Sequence, residues 1–161
     1  MFRIGFGFDT HALETGLPFW LGGILITHEK GSKGHSDADV LIHAIIDALL
    51  GAAGLRDIGQ QFPDTSDAYK GIDSKLLLKK TMEMVRDHHF EIGNIDTTIV
   101  LQQPKIGNII PQMVETLAEV MKIGPGQLSI KAKTSEKLGF IGREEGISAY
   151  AVVLLEATSN V

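Results

Sequence analysis

The segment from Asp39 to Gly54 constrains the fold more than any other, because it has the length of a helix, contains no proline and is apolar almost all the way round. Val40, Leu41, Ile42, Ala44, Ile45, Ile46, Ala48, Leu49 and Leu50 leave no face for water, so such a helix must be buried. Three polar residues interrupt it. Asp39, His43 and Asp47 recur every four positions and form one stripe. Its members must be hydrogen-bonded, ligated or opened to a cleft, and a site along the stripe satisfies all three.

The rest of the chain supplies the covering. Ile4, Phe6 and Phe8 alternate with Gly5, Gly7 and Asp9, a period of two that predicts a half-buried strand. Asp9 and His11 then share the glycine face, where absent side chains leave space beside them. Pro18 to Thr27 reads as a second strand broken at Gly22-Gly23, a bulge or a hairpin with the first. His28 to Ser36 is a polar loop. Leu55 to Gly71, with Gly59, Pro63, Asp57, Asp64, Thr65, Ser66 and Asp67, has loop chemistry and the length of a functional loop. Asp73 or Ser74 caps an amphipathic helix reaching His88. Ile95 to Leu101 is a strand followed by a turn at Pro104, and Ile110 to Lys122 is a third helix. Strands at Leu128 to Thr134 and Ile147 to Glu156 close the chain around a loop holding Gly139, Gly142 and Gly146. This order predicts one α+β domain over residues 1–161, with helices covering one sheet face.

Charge and composition exclude several function classes. The 161 residues carry a formal charge of −5 and no clustered Lys and Arg, which argues against nucleic-acid binding. Without cysteine there is no disulfide framework, thiolate nucleophile or cysteine zinc knuckle. No apolar run is long enough to cross a bilayer, and the N-terminus resembles neither a signal nor a transit peptide, so a soluble cytoplasmic protein is expected. An acidic chain acting on a polyanion must supply positive charge locally, through metal ions, a few basic residues and backbone amides.

Asp9, His11 and His43 are three metal-ligand side chains with no fourth, the pattern of a catalytic ion that keeps an open position. Imidazole and carboxylate suit zinc and its neighbours. Taken singly, Asp9-x-His11 is equally a turn aspartate beside a satisfied histidine. Asp47 orients the His43 ring or makes an ordinary buried hydrogen bond. Glu136, in the run Lys131 to Lys137, is plainly read as part of a solvated loop; the sharper reading places Lys133, hydroxyls and loop amides around phosphate oxygens with Glu136 on magnesium or manganese. His35 and Ser36 donate to an anion near the N-terminus of the buried helix, or the segment is a plain Ser or Asp N-cap. His88-His89 complements a helix C-terminus. No nucleophile elbow or Walker-type phosphate loop is present.

Several segments in order resemble the 2-C-methyl-D-erythritol 2,4-cyclodiphosphate synthase family of the non-mevalonate isoprenoid pathway. They are Gly7 to His11, Glu29 to Gly31, Gly34 to Val40, His43-Ala44, Asp47 to Ala52, Asp57 to Gly59, Phe62 to Thr65, Glu136 to Phe140 and Gly142-Arg143, spread over essentially the whole chain. The resemblance implies that Asp9, His11 and His43 bind zinc and that Glu136 binds magnesium or manganese. It implies that Asp9, Thr10, His11, His35 and Ser36 meet the diphosphate end of a cytidine diphosphate substrate. Asp57, Ile58 and Gly59 with Phe62, Pro63, Asp64, Thr65 and Ser66 would hold its methylerythritol part. Leu101, Gln102, Gln103, Pro104, Lys105, Ile106 and Gly107, with Lys133, Thr134, Ser135 and Glu136, would form the cytidine and phosphate pocket. Asp9, His11, His35, Lys133, Thr134 and Glu136 would carry catalysis, and Phe140 and Arg143 match the remaining ligand-contact positions. The resemblance further implies a ferredoxin-like fold, a homotrimer with active sites between subunits, and in some members an isoprenoid diphosphate in a central cavity. A catalytically silent trimer that binds isoprenoid diphosphate and a metal-dependent phosphoesterase are the rival functions. Phe6, Trp20 and Lys133 depart from common family residues, and Lys133 bears on the nucleotide phosphates.

Overall fold

The computed structural model describes residues 1–158. Its elements in chain order are β1 (Phe2–Thr15), β2 (Phe19–Leu21), β3 (Ile24–Ile26), β4 (Lys30–Ser32), α1 (Val40–Ala53), α2 (Ile58–Gln61), α3 (Ser74–Asp87), β5 (Phe90–Val100), α4 (Ile110–Met121), β6 (Leu128–Lys133), α5 (Gly139–Gly142) and β7 (Gly146–Ala157). Five strands form a mixed sheet in the order β4-β1-β7-β5-β6. The fold is α+β, with α1, α3 and α4 layered on that sheet.

The apolar helix is α1, and its boundaries follow from its ends. Asp39 caps it by accepting the Ile42 amide, and Gly54 stops it in the left-handed region at φ 77°, where glycine carries no steric penalty. Leu41, Ile45, Ile46 and Leu49 are fully buried, each stabilising by about 2 kcal/mol. Of the polar stripe, Asp39 is satisfied without a ligand. Its carboxylate also accepts the amides of Gly22 at 3.0 Å and Gly23 at 2.7 Å, which pins the β2–β3 turn to the start of α1.

β1 corrects the strand expectation in its length and in the space expected beside its glycines. It runs on to Thr15, and its glycine face is the buried one. Gly5 and Gly7 lie directly under α1, where a Cβ would fall 1.8 Å from the Ala48 carbonyl oxygen and 1.9 Å from that of Ala44. The space left by the missing side chains is thus filled by helix backbone. Phe2, Ile4, Phe6 and Phe8 point the other way and stay 46–73% exposed on this chain. Tyr150 and Val152 of β7, opposite Phe8 and Phe6, extend the same apolar face.

Two further expectations change. Pro18 to Thr27 forms its own two-stranded hairpin, β2 with β3, while β1 pairs with β7 over Phe2–Ala12 and with β4 over Leu13–Thr15. The connectivity also departs from the ferredoxin-like β-α-β-β-α-β order. Here α4 separates β5 from β6, so those two are parallel neighbours, and β7 returns antiparallel between β1 and β5. Among the described residues no helix is long and apolar enough to cross a membrane.

The glycine contact is testable. Gly7→Ala forces a methyl group into the α1 backbone and should destabilise the protein by about 3 kcal/mol or more, read as a lower urea midpoint with unchanged slope.

Candidate metal centre and adjoining clefts

Close approach of β1 to α1 sets Asp9 and His11, two apart on the strand, against His43 on the first turn of the helix. Asp9 Oδ2 lies 2.8 Å from His11 Nε2 and 3.1 Å from His43 Nδ1, and those two ring nitrogens are 3.2 Å apart. Among the described residues this is the one group of three such donors within mutual reach. Ligands at about 2.0–2.1 Å in a tetrahedral shell stand about 3.3 Å from one another, so the trio fits one small cation with little movement.

The donor chemistry agrees with the spacing. His11 Nδ1–H donates to the Lys33 carbonyl at 2.9 Å, which leaves the Nε2 lone pair facing the other two donors. Two imidazole nitrogens and a carboxylate oxygen meeting in this way require a proton or a cation between them. Burial alone would raise the Asp9 carboxyl, but hydrogen bonds and charge from His11 and His43 outweigh it and hold the group well below the usual carboxylate range. Burial likewise works against a charged His11, and the hydrogen bond to Asp9 overrides it and raises the imidazole above its ordinary value.

Two clefts of about 330 Å³ each lie on this surface. The first opens on the metal centre and is lined by His11, His35, Ser36, His43, Ile58, Gly59, Phe62, Asp64, Tyr69 and Leu77. The second is lined by Leu101, Pro104, Lys105, Ile106, Gly107, Asn108, Ala132, Lys133 and Thr134. No lining residue belongs to both.

Most of the sequence-derived candidates gather at these places, with exceptions. Thr10 points to the opposite sheet face from Asp9 and His11, and its hydroxyl pairs with Ser148 at 2.7 Å. Asp57 accepts the Gln60 amide as the cap of α2, while Pro63, Thr65 and Ser66 sit on the same loop outside the cleft lining. Gln102 accepts the Lys137 amide, and Gln103 precedes Pro104 at the edge of the second cleft. Ser135 donates to the Leu138 carbonyl. Glu136 stands exposed in a left-handed turn with φ 53°, its carboxylate accepting from Thr134, outside both linings. Phe140 packs by its ring on Gly146, and Arg143 pairs with Glu145 at 3.0 Å. Asp47 accepts the Ile58 amide at 2.8 Å rather than orienting His43.

The partners that His43 does have were not legible beforehand. Its Nε2 lies 3.0 Å from Ser74 Oγ and 3.1 Å from Ser36 Oγ. In the sequence Ser74 looks like a helix cap, a signal that hides any second use. Tyr69 and Leu77 likewise carry no pattern that separates cleft from core.

The YgbB family matches residues 2–156 of this chain. The chain is similar to the 2-C-methyl-D-erythritol 2,4-cyclodiphosphate synthase of Porphyromonas gingivalis, with 62% identity over 156 residues that cover 97% of this chain and 96% of that one. A protein of the same name from Bacteroides fragilis is 62% identical over 95% of this chain and 96% of its own. Among solved structures, the bifunctional IspDF of Campylobacter jejuni aligns at TM-score 0.95 and 40% identity over 99% of this chain, which spans 43% of that longer one. The Plasmodium falciparum IspF–CDP complex aligns at TM-score 0.87 and 34% identity, over 98% of this chain and 97% of that one.

The pH dependence has two signs. His11 holds its proton more tightly folded than unfolded, so its contribution is full below 6.5 and lost as pH rises through the raised value. Asp9 contributes above 3.8 and loses its share as pH falls through the lowered value. Metal-free protein should therefore lose more urea resistance as pH rises from 6.5 through the raised value than a His11→Gln variant does. A divalent cation displaces the His11 proton, so its affinity, by chelator competition, should fall about tenfold per pH unit below the raised value.

Proposed function

Because this chain belongs to the YgbB family, we propose that it converts 4-diphosphocytidyl-2-C-methyl-D-erythritol 2-phosphate to 2-C-methyl-D-erythritol 2,4-cyclodiphosphate with release of cytidine monophosphate. It is a phosphorus–oxygen lyase of the cytoplasmic non-mevalonate isoprenoid pathway. The observation that carries the reading is an open three-donor metal centre at the wall of a cleft that also holds His35 and Ser36.

Asp9, His11 and His43 hold zinc, which accepts this mixed imidazole and carboxylate set. Glu136 holds magnesium or manganese, since such ions are commonly bound through one or two carboxylates and the substrate's own phosphates. When bound, the two ions supply the positive charge an acidic chain lacks, polarising phosphoryl oxygens and offsetting charge on the leaving group.

The nucleophile belongs to the substrate. An oxygen of its 2-phosphate attacks the β-phosphorus, the new P–O bond closes the ring, and the bond to the bridging oxygen breaks so that this oxygen leaves with cytidine monophosphate. No side chain needs to surrender a proton for attack, so the residues of the chain bind and orient. His35 and Ser36 donate to the diphosphate. The segment from Asp57 to Ser66 encloses the methylerythritol part, with Ile58, Gly59, Phe62 and Asp64 at the cleft wall. Leu101 to Gly107 receive cytidine, while Lys133, Thr134 and Ser135 meet its phosphates. The CDP held by the Plasmodium falciparum relative supports a nucleotide pocket of this kind.

The active sites lie between subunits of a homotrimer, the metal cleft of one facing the nucleotide cleft of its neighbour. Two features support this assembly. Within one chain the clefts have no lining residue in common, and the aromatic face of β1 and β7 has no cover. Packed around a central axis, that face also offers a prenyl chain an apolar wall, and Arg143 offers its diphosphate a cation.

Phosphorus NMR with the cytidine-bearing 2-phosphate substrate, zinc and magnesium should show cyclic diphosphate and cytidine monophosphate appearing together, and neither in chelator. Free phosphate would identify an esterase, and unchanged substrate a silent binder. His43→Ala should lose zinc and turnover while remaining trimeric; full activity in that metal-free variant would sink the ligand assignment. Phe6→Asp should shift the sedimentation mass from three chains towards one and remove turnover.

A further inference from the structure

The hydrogen bonds behind His43 bear on which of its nitrogens is protonated. Ser74, the first residue of α3, is fully buried. Its hydroxyl donates to Asp37 Oδ1, its amide donates to Asp37 Oδ2 at 2.9 Å, and the Asp39 amide donates to Asp37 Oδ1 at 3.1 Å. An ionised carboxylate only accepts, so the single hydroxyl proton of Ser74 is committed to Asp37. What Ser74 presents to His43 Nε2, 3.0 Å away, is therefore a lone pair.

At His43 Nε2 one arrangement satisfies both hydroxyls; at Nδ1, 3.1 Å from Asp9 Oδ2, it needs a cation or the His11 Nε2 proton between the groups. An unprotonated Nε2 would set lone pair against lone pair at Ser74. The Ser36 hydroxyl, 3.1 Å away, could donate to it, but the Ser74 contact would remain repulsive. A protonated Nε2 satisfies both, its N–H shared between the two hydroxyl oxygens. The Ser36 proton is then free, and Ser36 lines the metal cleft. His11 Nδ1 is fixed by the Lys33 carbonyl, so with a cation in place His11 Nε2 and His43 Nδ1 would both turn lone pairs to it beside Asp9.

We propose that Ser74 and Asp37 are positioning residues that lock His43 in the Nε2-protonated tautomer, so that its Nδ1 lone pair is aimed at the metal and the Ser36 hydroxyl is left to donate into the cleft. The inference rests on the metal reading of Asp9, His11 and His43. Partners of this kind raise ligand basicity and hold ring orientation before the ion arrives, and their removal commonly weakens metal binding 10–100-fold.

The test uses full-length nitrogen-15-labelled protein stripped of metal. Long-range proton–nitrogen spectra of the wild type should show His43 protonated at Nε2. In Ser74→Ala and Asp37→Asn the His43 signals should move towards a mixture of tautomers, and zinc affinity by chelator competition should fall about 10–100-fold. Ser74→Thr, which keeps the hydroxyl, should restore both readouts, whereas Ser36→Ala should leave the tautomer unchanged. A wild-type His43 protonated at Nδ1, or a Ser74→Ala protein with wild-type tautomer and zinc affinity, would overturn the proposal. Wild-type protein with the expected tautomer shifts but no zinc binding would support the relay and reject the metal reading.

Discussion

Backbone-to-backbone approach of α1 on β1 is the contact from which the rest of this structure follows. A helix usually stands off a sheet by the thickness of side chains, about 10 Å between layers. At Gly5 and Gly7 no side chain intervenes, and the facing helix positions are Ala44 and Ala48. The helix sinks until its carbonyl oxygens touch the strand, and a residue one turn from its start comes level with the strand's own polar end. Asp9, His11 and His43 converge for that reason. The metal centre is thus a product of packing as much as of ligand chemistry, and small residues several positions away set its dimensions.

The charges are arranged by a similar economy of position. The chain is acidic overall, yet its carboxylates near the site are already engaged: Asp39 on the β2–β3 turn and on α1, Asp47 on the Ile58 amide, and Asp37 on Ser74 and the Asp39 amide. Asp9 differs in facing two imidazoles with no amide of another element to satisfy it. Fixed acceptors therefore build the scaffold, and Asp9 is left facing the imidazoles, open to a cation.

Much of this was legible in the sequence, for identifiable physical reasons. α1 announced itself because a helix apolar on all sides has few alternatives, and Asp39 and Gly54 mark its ends by cap chemistry. The metal trio was legible because cysteine is absent and three donors recur on elements with clear period. The facing of β1 was not. Alternation tells which residues share a side but not which side is inward, and glycine has no hydropathy with which to claim the core. Phe6 and Phe8 have the hydropathy of a buried set, yet on this chain they stay exposed. Ser74 was hidden differently, since the signals that mark a helix start accounted for it fully. The ferredoxin-like connectivity failed because element order alone does not reveal that β7 inserts between β1 and β5.

The two borders of the main sheet bear on how this chain behaves in crowded solution. One border is β6, which carries Lys131 and Lys133, with Lys131 in an ion pair to Asp96 at 2.6 Å; the other is β1, of which the three-residue β4 covers only Leu13–Thr15. A lysine-bearing edge is a poor template for a further strand. From Phe2 to Ala12, β1 pairs with β7 on one side, so among the described residues its other edge keeps a row of amides and carbonyls without a strand partner, beside the apolar face. A surface that sheltered the aromatic side chains of β1 would therefore also shield the sheet edge most open to strand addition.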